Sequence, residues 1–371
     1  MSHESPGRPT PPPTVSDLSA PVALQHLMMT YQITQAIYTA TQLGVAELLA
    51  DGPKSAKDLA QATGTHGPSL SRLLRALVAY GVFDEGAPDQ FALTSLGTCL
   101  RKDAPNSVRD GVLMWGSPHY WQTTADLLYC VQTGESAISH LFGTATSFEY
   151  YRTHPEVGAM MHAGWAAAGR IRAEAVLGVY DFSASGILVD VGGNRGQLLA
   201  PILHAYPSVQ GVLYDLPHVV EEAAPFLERA GVADRCTLVG GDIFTAVPAG
   251  GDTYLLSMIL HDWDDAKAIT ILRNCRRAMR PHTTLLLVER VVPTPLDQSV
   301  TTQQAVIIDL IMLLMTGGRE RTQAEYAALL AAAGFALERI IPTQAGYSLV
   351  QSTANIGTSA TGAIAQPGTP V

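Results

Sequence analysis

The sequence predicts an α/β protein: a Rossmann-like, mostly parallel sheet whose last strand is antiparallel, preceded by a helical, winged-helix-like domain. Three observations carry this prediction. From Gly186 onward, short apolar runs alternate with helix-length segments. A glycine-rich loop follows the first of those runs, and the stretch up to about residue 104 is helical with one hairpin. Alternating strands and helices imply right-handed crossovers, with helices on both faces of the sheet.

The chain begins with the proline-rich "MSHESPGRPTPPPTVSDLSAP", which lacks the apolar core of a signal peptide, so residues 1–20 are expected to be a disordered leader. Residues 21–104 form the helical domain. Leu24, Met28, Tyr31 and Tyr38 share one side of its first helix while Ile33 and Ile37 lie on another, so the helix needs cover, most simply from a second subunit. "SAKDLAQATG" and "PSLSRLLRALVAYGVF" then read as two helices, and "FDEGAPDQFALT" as a wing, the layout of a winged helix. Leu70, Leu73, Leu74, Leu77 and Val78 occupy core spacing on the second helix, which leaves only Arg72 and Arg75 for phosphates.

Residues 105–180 read as connecting helices rich in aromatics and methionines, either ordinary core or the wall of a pocket for a flat, apolar ligand. Residues 181–351 form the α/β domain. Its strands are "ILVDV", "GVLYD", "CTLVGGD", "TYLLSMIL" and "TLLLVER", with "QLLAPILHAY" a helix after the first. "FALERIIPT" and "YSLVQS" are separated by a short turn and should pair antiparallel. Residues 352–371 are low in apolar mass and are expected to be a disordered tail.

Composition narrows the function. The residues are 47% hydrophobic and 15% charged, as in a globular protein, and the formal charge of -10 argues against a nucleic-acid partner. No apolar run is long enough to span a membrane. Four scattered cysteines, without a CxxC pair, suggest a reducing cytoplasm rather than a disulfide framework or a zinc site. No acidic or histidine cluster has metal-ligand spacing along the chain, so no metal is expected.

The loop "VDVGGNRGQLL" is where an open α/β sheet binds its ligand. It lacks G-x-G-x-x-G, since Asn194 and Gln197 stand where glycines would be needed. D-x-G-x-G-x-G fits with one change: Asp190, Gly192, Asn194, Gly196. An acid at the strand end suits a ligand with a positive amino group and would repel a diphosphate. Asp215 closes the next strand, where an acid can accept both hydroxyls of a ribose. Asp242 lies one strand further, positioned for an adenine amino group, with Ile243 and Phe244 to pack the ring.

In "SMILHDWDDAK", His261 stands at a strand's carboxyl end, two strands beyond the loop, and Asp262, Trp263 and Asp264 read as the turn and helix start that hold it. A lone histidine there is usually structural. Yet an imidazole of near-neutral pKa is also the natural base for a hydroxyl.

"LVDVGGNRGQLL", "LYDLPHVVEEA", "GDIFTAVPAGGDTYLLSMILHDWDD", "LLLVERVVP" and "GGRERTQAEYAALLAAAGF" resemble the consecutive motifs of S-adenosylmethionine-dependent O-methyltransferases. The family is that of plant caffeate and flavonoid enzymes and bacterial polyketide and antibiotic tailoring enzymes. The resemblance runs from about Leu24 to Val350. It implies that Asp190, Gly192, Gly193 and Gly196 hold the methionine part of the cofactor, Asp215 and Leu216 the ribose, and Asp242, Ile243 and Phe244 the adenine. Asn194 replaces a usual glycine, and Ser257 stands where plant members carry a cofactor-contacting lysine. It further implies His261 as general base, flanked by Glu289 and Glu320, on an aromatic or polyketide-type acceptor in a cytoplasmic homodimer. Met161 and Met312 match methionines that clamp a flat acceptor, and Trp165 falls where plant members have a small residue. Two other readings stay open: a relative that hydroxylates or decarboxylates with the same cofactor, and a winged-helix regulator.

Overall fold

The computed structural model describes residues 17–354; most of the expected leader and tail, 1–16 and 355–371, lies outside the described residues. Contacts divide the chain into two units, Met1–Gln122 with Glu156–Ala167, and Thr123–Pro155 with Ala168–Val371. The helix Pro155–Leu177 runs through both divisions.

In the first unit, helices Ala56–Thr63 and Gly67–Ala79 precede the hairpin Phe83–Ala87 and Gln90–Leu93, which the short strand Lys54–Ser55 completes as a three-stranded sheet. Ser55 caps the first of these helices by accepting from the Asp58 amide at 3.1 Å. Leu70, Leu74 and Leu77 are buried, and Arg72 and Arg75 face solvent. The first predicted helix is two: Ala20–Met29 and Tyr31–Gln42. They part at Thr30, whose hydroxyl bonds back to the Leu27 carbonyl at 2.7 Å, an alternative to continued helix pairing. Ala20–Met29 buries none of its residues, and Leu27 and Met28 are each 66% exposed.

The second unit is built on a seven-stranded sheet. Across it run Phe335–Pro342, Ser348–Ala354, Thr284–Glu289, Thr253–Ser257, Ile187–Val191, Gln210–Asp215 and Cys236–Gly240. The last five are parallel, and Ser348–Ala354 pairs antiparallel with both neighbours. The final strand therefore reaches Ala354, three residues into the segment read as tail. Helices cover both faces, which is why Leu188, Leu213, Leu255 and Leu286 pack in one core cluster, and Val189, Tyr254, Leu256 and Leu287 in the other. The strand order reverses at Ile187–Val191. Successive strands lie to one side of it as far as Cys236–Gly240 and to the other as far as Thr284–Glu289, and such a switch point opens a crevice at the strands' carboxyl ends.

A two-stranded parallel ladder lies beside this crevice, pairing Val291 with Arg321 and Val292 with Thr322. It runs the segment after Glu289 alongside the segment after Glu320.

Candidate active site

The loop after Ile187–Val191 fills the switch point. Gly192 and Gly193 both donate to the Tyr214 carbonyl, at 2.8 and 3.2 Å, and the Asn194 amide donates to Asp215 Oδ2 at 2.8 Å. Gly192, Asn194 and Gly196 all have positive φ, of 71°, 52° and 86°, so asparagine serves at a left-handed position that favours glycine. Gly193 has no room for a side chain: a Cβ would stand 2.4 Å from Leu213 Cδ1 and 2.7 Å from the Asp190 carboxylate. Here glycine is required by the loop's own packing as well as by any ligand. The helix begins at Leu199, after a turn at 194–198, a few residues later than the glycine pattern suggested.

Asp190 is 1% exposed, and neither of its carboxylate oxygens has a hydrogen-bond partner. Burial, and then the charge of Asp215, push its pKa up to about 7, against the pull of Arg172. Asn194 Oδ1 and Ser257 Oγ are likewise buried without a partner. Buried acceptors of this kind are uncommon in a native structure unless something else satisfies them. Asp215 Oδ1 accepts from the Leu216 amide at 2.7 Å, and burial raises its pKa despite that bond. The Gly241 amide donates to the Asp215 carbonyl, which ties the next loop to this one. There Asp242 Oδ1 accepts from the Phe244 amide at 2.9 Å, Ile243 and Phe244 are half-buried against the core, and Phe244 meets Trp263 edge-on at 4.8 Å.

On the other side of the switch point, Thr253–Ser257 ends at Met258, which has φ 56°, and the chain then tightens into a 3-10 turn, Leu260–Asp262. Asp264 caps the following helix, Asp265–Ala278, through the Lys267 amide at 2.9 Å. His261 is buried. Its Nδ1 lies 2.8 Å from Glu320 Oε1, while Nε2 has Asp262 Oδ1 at 3.8 Å and no hydrogen bond. Glu289 acts differently: its Oε1 accepts from the Ile259 and Leu260 amides at 3.1 and 2.9 Å. It holds the backbone of the turn, and Glu320 alone bonds the ring. One carboxylate oxygen of each glutamate is buried without a partner.

Burial by itself would lower the His261 pKa, but the charges of Asp262 and Glu320, the Glu320 hydrogen bond and the Glu289 charge outweigh it and raise the pKa to about 10. Burial raises Glu289 to about 7 and Asp262 to about 6, in each case against the pull of His261.

Ligand-type atoms of His261, Glu289 and Glu320 lie within 4.8 Å of one another, a grouping that their spacing along the chain conceals. Histidine and Glu320 are hydrogen-bonded to each other, and Glu289 Oε1 is already occupied by two amides.

Sequence reasoning missed three contributors. Asp309 accepts from the Glu320 amide at 2.7 Å, and its signal was a lone acid in the apolar helix Val300–Met315. Arg321, 1% exposed, and Met258 in its left-handed conformation had no comparable signal. Met312 is half-buried, one turn beyond Asp309 on the same helix. Met161, buried, and Trp165, half-buried, belong to the first unit.

A family model described as the O-methyltransferase domain matches residues 121–336, and one for the O-methyltransferase dimerisation domain matches 25–103. The chain belongs to the O-methyltransferase family. It is 44% identical to a phenazine O-methyltransferase of Lysobacter antibioticus over 89% of this chain and 95% of that one. Two crystal structures are also similar. That of LaPhzM has a TM-score of 0.84 at 43% identity and covers 91% of this chain and 100% of its own. That of CalO1, a methyltransferase in calicheamicin biosynthesis in its SAH-bound form, has a TM-score of 0.81 at 34% identity, covering 90% and 98%. This O-methyltransferase is thus an S-adenosylmethionine-dependent enzyme of a family that requires no metal. The unpartnered Asp190 carboxylate, with Asn194 Oδ1 and Ser257 Oγ, fits the ammonium of that cofactor's amino-acid end. None of its described helices is long and apolar enough to cross a membrane.

Proposed function

We propose that the enzyme methylates a hydroxyl of an aromatic or polyketide-type small molecule in secondary metabolism, with His261 as general base. The observation that carries this reading is the His261 ring, fixed through Nδ1 by Glu320 while Nε2 makes no hydrogen bond and has only Asp262 Oδ1 nearby, at 3.8 Å. The phenazine acceptor named for the Lysobacter enzyme, a fused aromatic ring system, supports the acceptor class.

S-adenosylmethionine supplies the methyl group, as an electrophile on a sulfonium. Asp190 takes the ammonium of its methionine part beside Gly192, Gly193 and Gly196. Asp215, with Leu216, takes the ribose; Asp242, with Ile243 and Phe244, takes the adenine; and Ser257 contributes its unpartnered hydroxyl. Asp190 and Asp215 can each accept more hydrogen bonds than they do within the protein. His261 Nε2 would remove the acceptor's proton as the acceptor oxygen bonds to the methyl carbon. The methyl–sulfur bond breaks with its electron pair left on sulfur, to give S-adenosylhomocysteine, and Glu320 stabilises the resulting imidazolium through Nδ1. Glu289 keeps the turn under the ring and adds negative charge. Met161, Trp165 and Met312 are the residues that the family resemblance assigns to the flat acceptor.

We assign the working form as a cytoplasmic homodimer; the dimerisation domain and the exposed apolar helix Ala20–Met29 support it. A regulator's recognition helix would need more than two exposed arginines, and the intact His261–Glu320 pair favours methyl transfer over hydroxylation or decarboxylation.

The test is a labelled-methyl assay over a panel of phenolic and fused-ring hydroxyl acceptors, with titration of S-adenosylhomocysteine. His261→Ala should lower kcat by about 10² to 10⁴-fold and leave product affinity intact. Full activity in that variant would remove His261 from the mechanism.

A further inference from the structure

We propose that Arg321 is a positioning residue for methyl transfer, gripping the turn on both sides of His261 and so setting the direction of Nε2. This rests on the reading of His261 as the base.

Arg321 is among the largest fully buried side chains of the protein, and every N–H of its guanidinium is used. Nη1 donates to the Leu260 carbonyl at 2.9 Å, immediately before His261, and to the Arg319 carbonyl at 3.5 Å. Nη2 donates to the Trp263 carbonyl at 2.8 Å, two residues after His261. One oxygen of Asp265 accepts from both Nη2 and Nε, at 2.8 and 3.0 Å. The two neighbouring residues grip the same turn. The Arg319 amide donates to the His261 carbonyl at 2.8 Å, and the Glu320 carboxylate accepts from the ring. Three consecutive residues, 319 to 321, thus hold the carbonyls of Leu260, His261 and Trp263 together with the imidazole.

Any buried guanidinium must have its donors satisfied, so burial and full pairing alone do not mark a functional role. What singles Arg321 out is that two of its four acceptors bracket the base and another, Asp265, begins the helix that the same turn leads into. A 3-10 turn after the left-handed Met258 is a poor platform by itself, having few hydrogen bonds of its own. A planar fork with five donors can hold three acceptors at fixed angles, whereas an ammonium group presents three rotatable donors from a point. The charged and titratable groups around His261 are Asp262 on its own turn, Glu289 from the sheet, Glu320 and Arg321 from the adjoining ladder, and Asp309 behind Glu320.

Arg321→Lys should therefore lower kcat by about 10 to 10²-fold, the effect of a misplacement of about 1 Å, with acceptor KM and S-adenosylhomocysteine affinity changed by less than about 3-fold. The acid limb of the rate profile should also move to lower pH, because a loosened turn draws the imidazole away from Glu320. A merely structural role would not move that limb. Asp265→Asn, altering an exposed partner, should reproduce a smaller change in the same direction and carries the test if Arg321→Lys fails to fold. His261→Ala is measured alongside. If it loses activity while the other two variants keep the wild-type kcat and limb, the positioning role is wrong and the base stands. If cofactor affinity and kcat fall and KM rises together with a loss of melting temperature, while the limb stays in place, Arg321 is only structural. If His261→Ala keeps its activity, the base assignment fails and this proposal falls with it.

Discussion

The two halves of the switch-point crevice are built on opposite plans. On the His261 side the backbone is tied down: amides of Ile259 and Leu260 to Glu289, carbonyls of Leu260, His261 and Trp263 to residues 319–321, and the ring to Glu320. On the Asp190 side the loop closes on itself through Tyr214 and Asp215 but leaves both oxygens of the Asp190 carboxylate and Asn194 Oδ1 buried and unpartnered, whereas Glu289 and Glu320 on the other side each keep one oxygen bonded. A group that must aim at a reacting atom gains from protein contacts that stay fixed, while a group that must take a ligand's donors has to keep its acceptors free. The contrast separates a region that orients from a region that binds.

Replacing the binding carboxylate should give the larger effect. Asp190→Asn should weaken S-adenosylhomocysteine by about 10 to 10²-fold, the loss of a charged hydrogen bond, while transfer at saturating cofactor changes little. An unchanged dissociation constant by calorimetry would mean that this orphaned acid faces no ammonium. Because Asp190 ionises only as pH passes about 7, wild-type affinity should also strengthen from pH 6 to 8 and the variant should lose that dependence.

The orienting side answers to pH in another way. With the free-enzyme His261 pKa at about 10, kcat/KM should climb through the alkaline range, since the imidazole must be neutral to accept a proton. Glu320→Gln removes the nearest negative charge and should shift that limb down by about 1 to 3 units. A profile that stays in place would show that Glu320 does not set the basicity of the ring.

The smallest effect is on stability. The folded-state pKa of His261 is raised above 6.5, so its ion pairs stabilise fully below that value and lose their contribution as pH rises through about 10. Tm should fall over that interval, by about 1 °C for each kcal/mol lost at the unfolding entropy of a chain of 371 residues, and His261→Ala should flatten the slope.

Much of this was legible in the chain. The strands showed because parallel strands buried on both faces must be near-continuous apolar runs, and the switch-point loop showed because glycine spacing and positive φ go together. Asp190, Asp215 and Asp242 stood out as acids at successive strand ends. His261, Glu289 and Glu320 were named from motifs, but their division of labour was not legible. Which carboxylate reaches the ring and which holds the backbone depends on a ladder between segments some 30 residues apart. The break at Thr30, where the hydroxyl bonds back to the Leu27 carbonyl, was missed because apolar periodicity carries no sign of it. Arg321 was hidden in a different way, since an arginine beside a glutamate in "GGRERT" reads as a solvated pair. The sequence by itself determined the alternation, the loop and the identity of the chemical groups, because those follow from local spacing. Only the tertiary structure decided which acceptors are left empty and which are filled, because hydrogen-bond satisfaction is a property of groups that meet from distant parts of the chain.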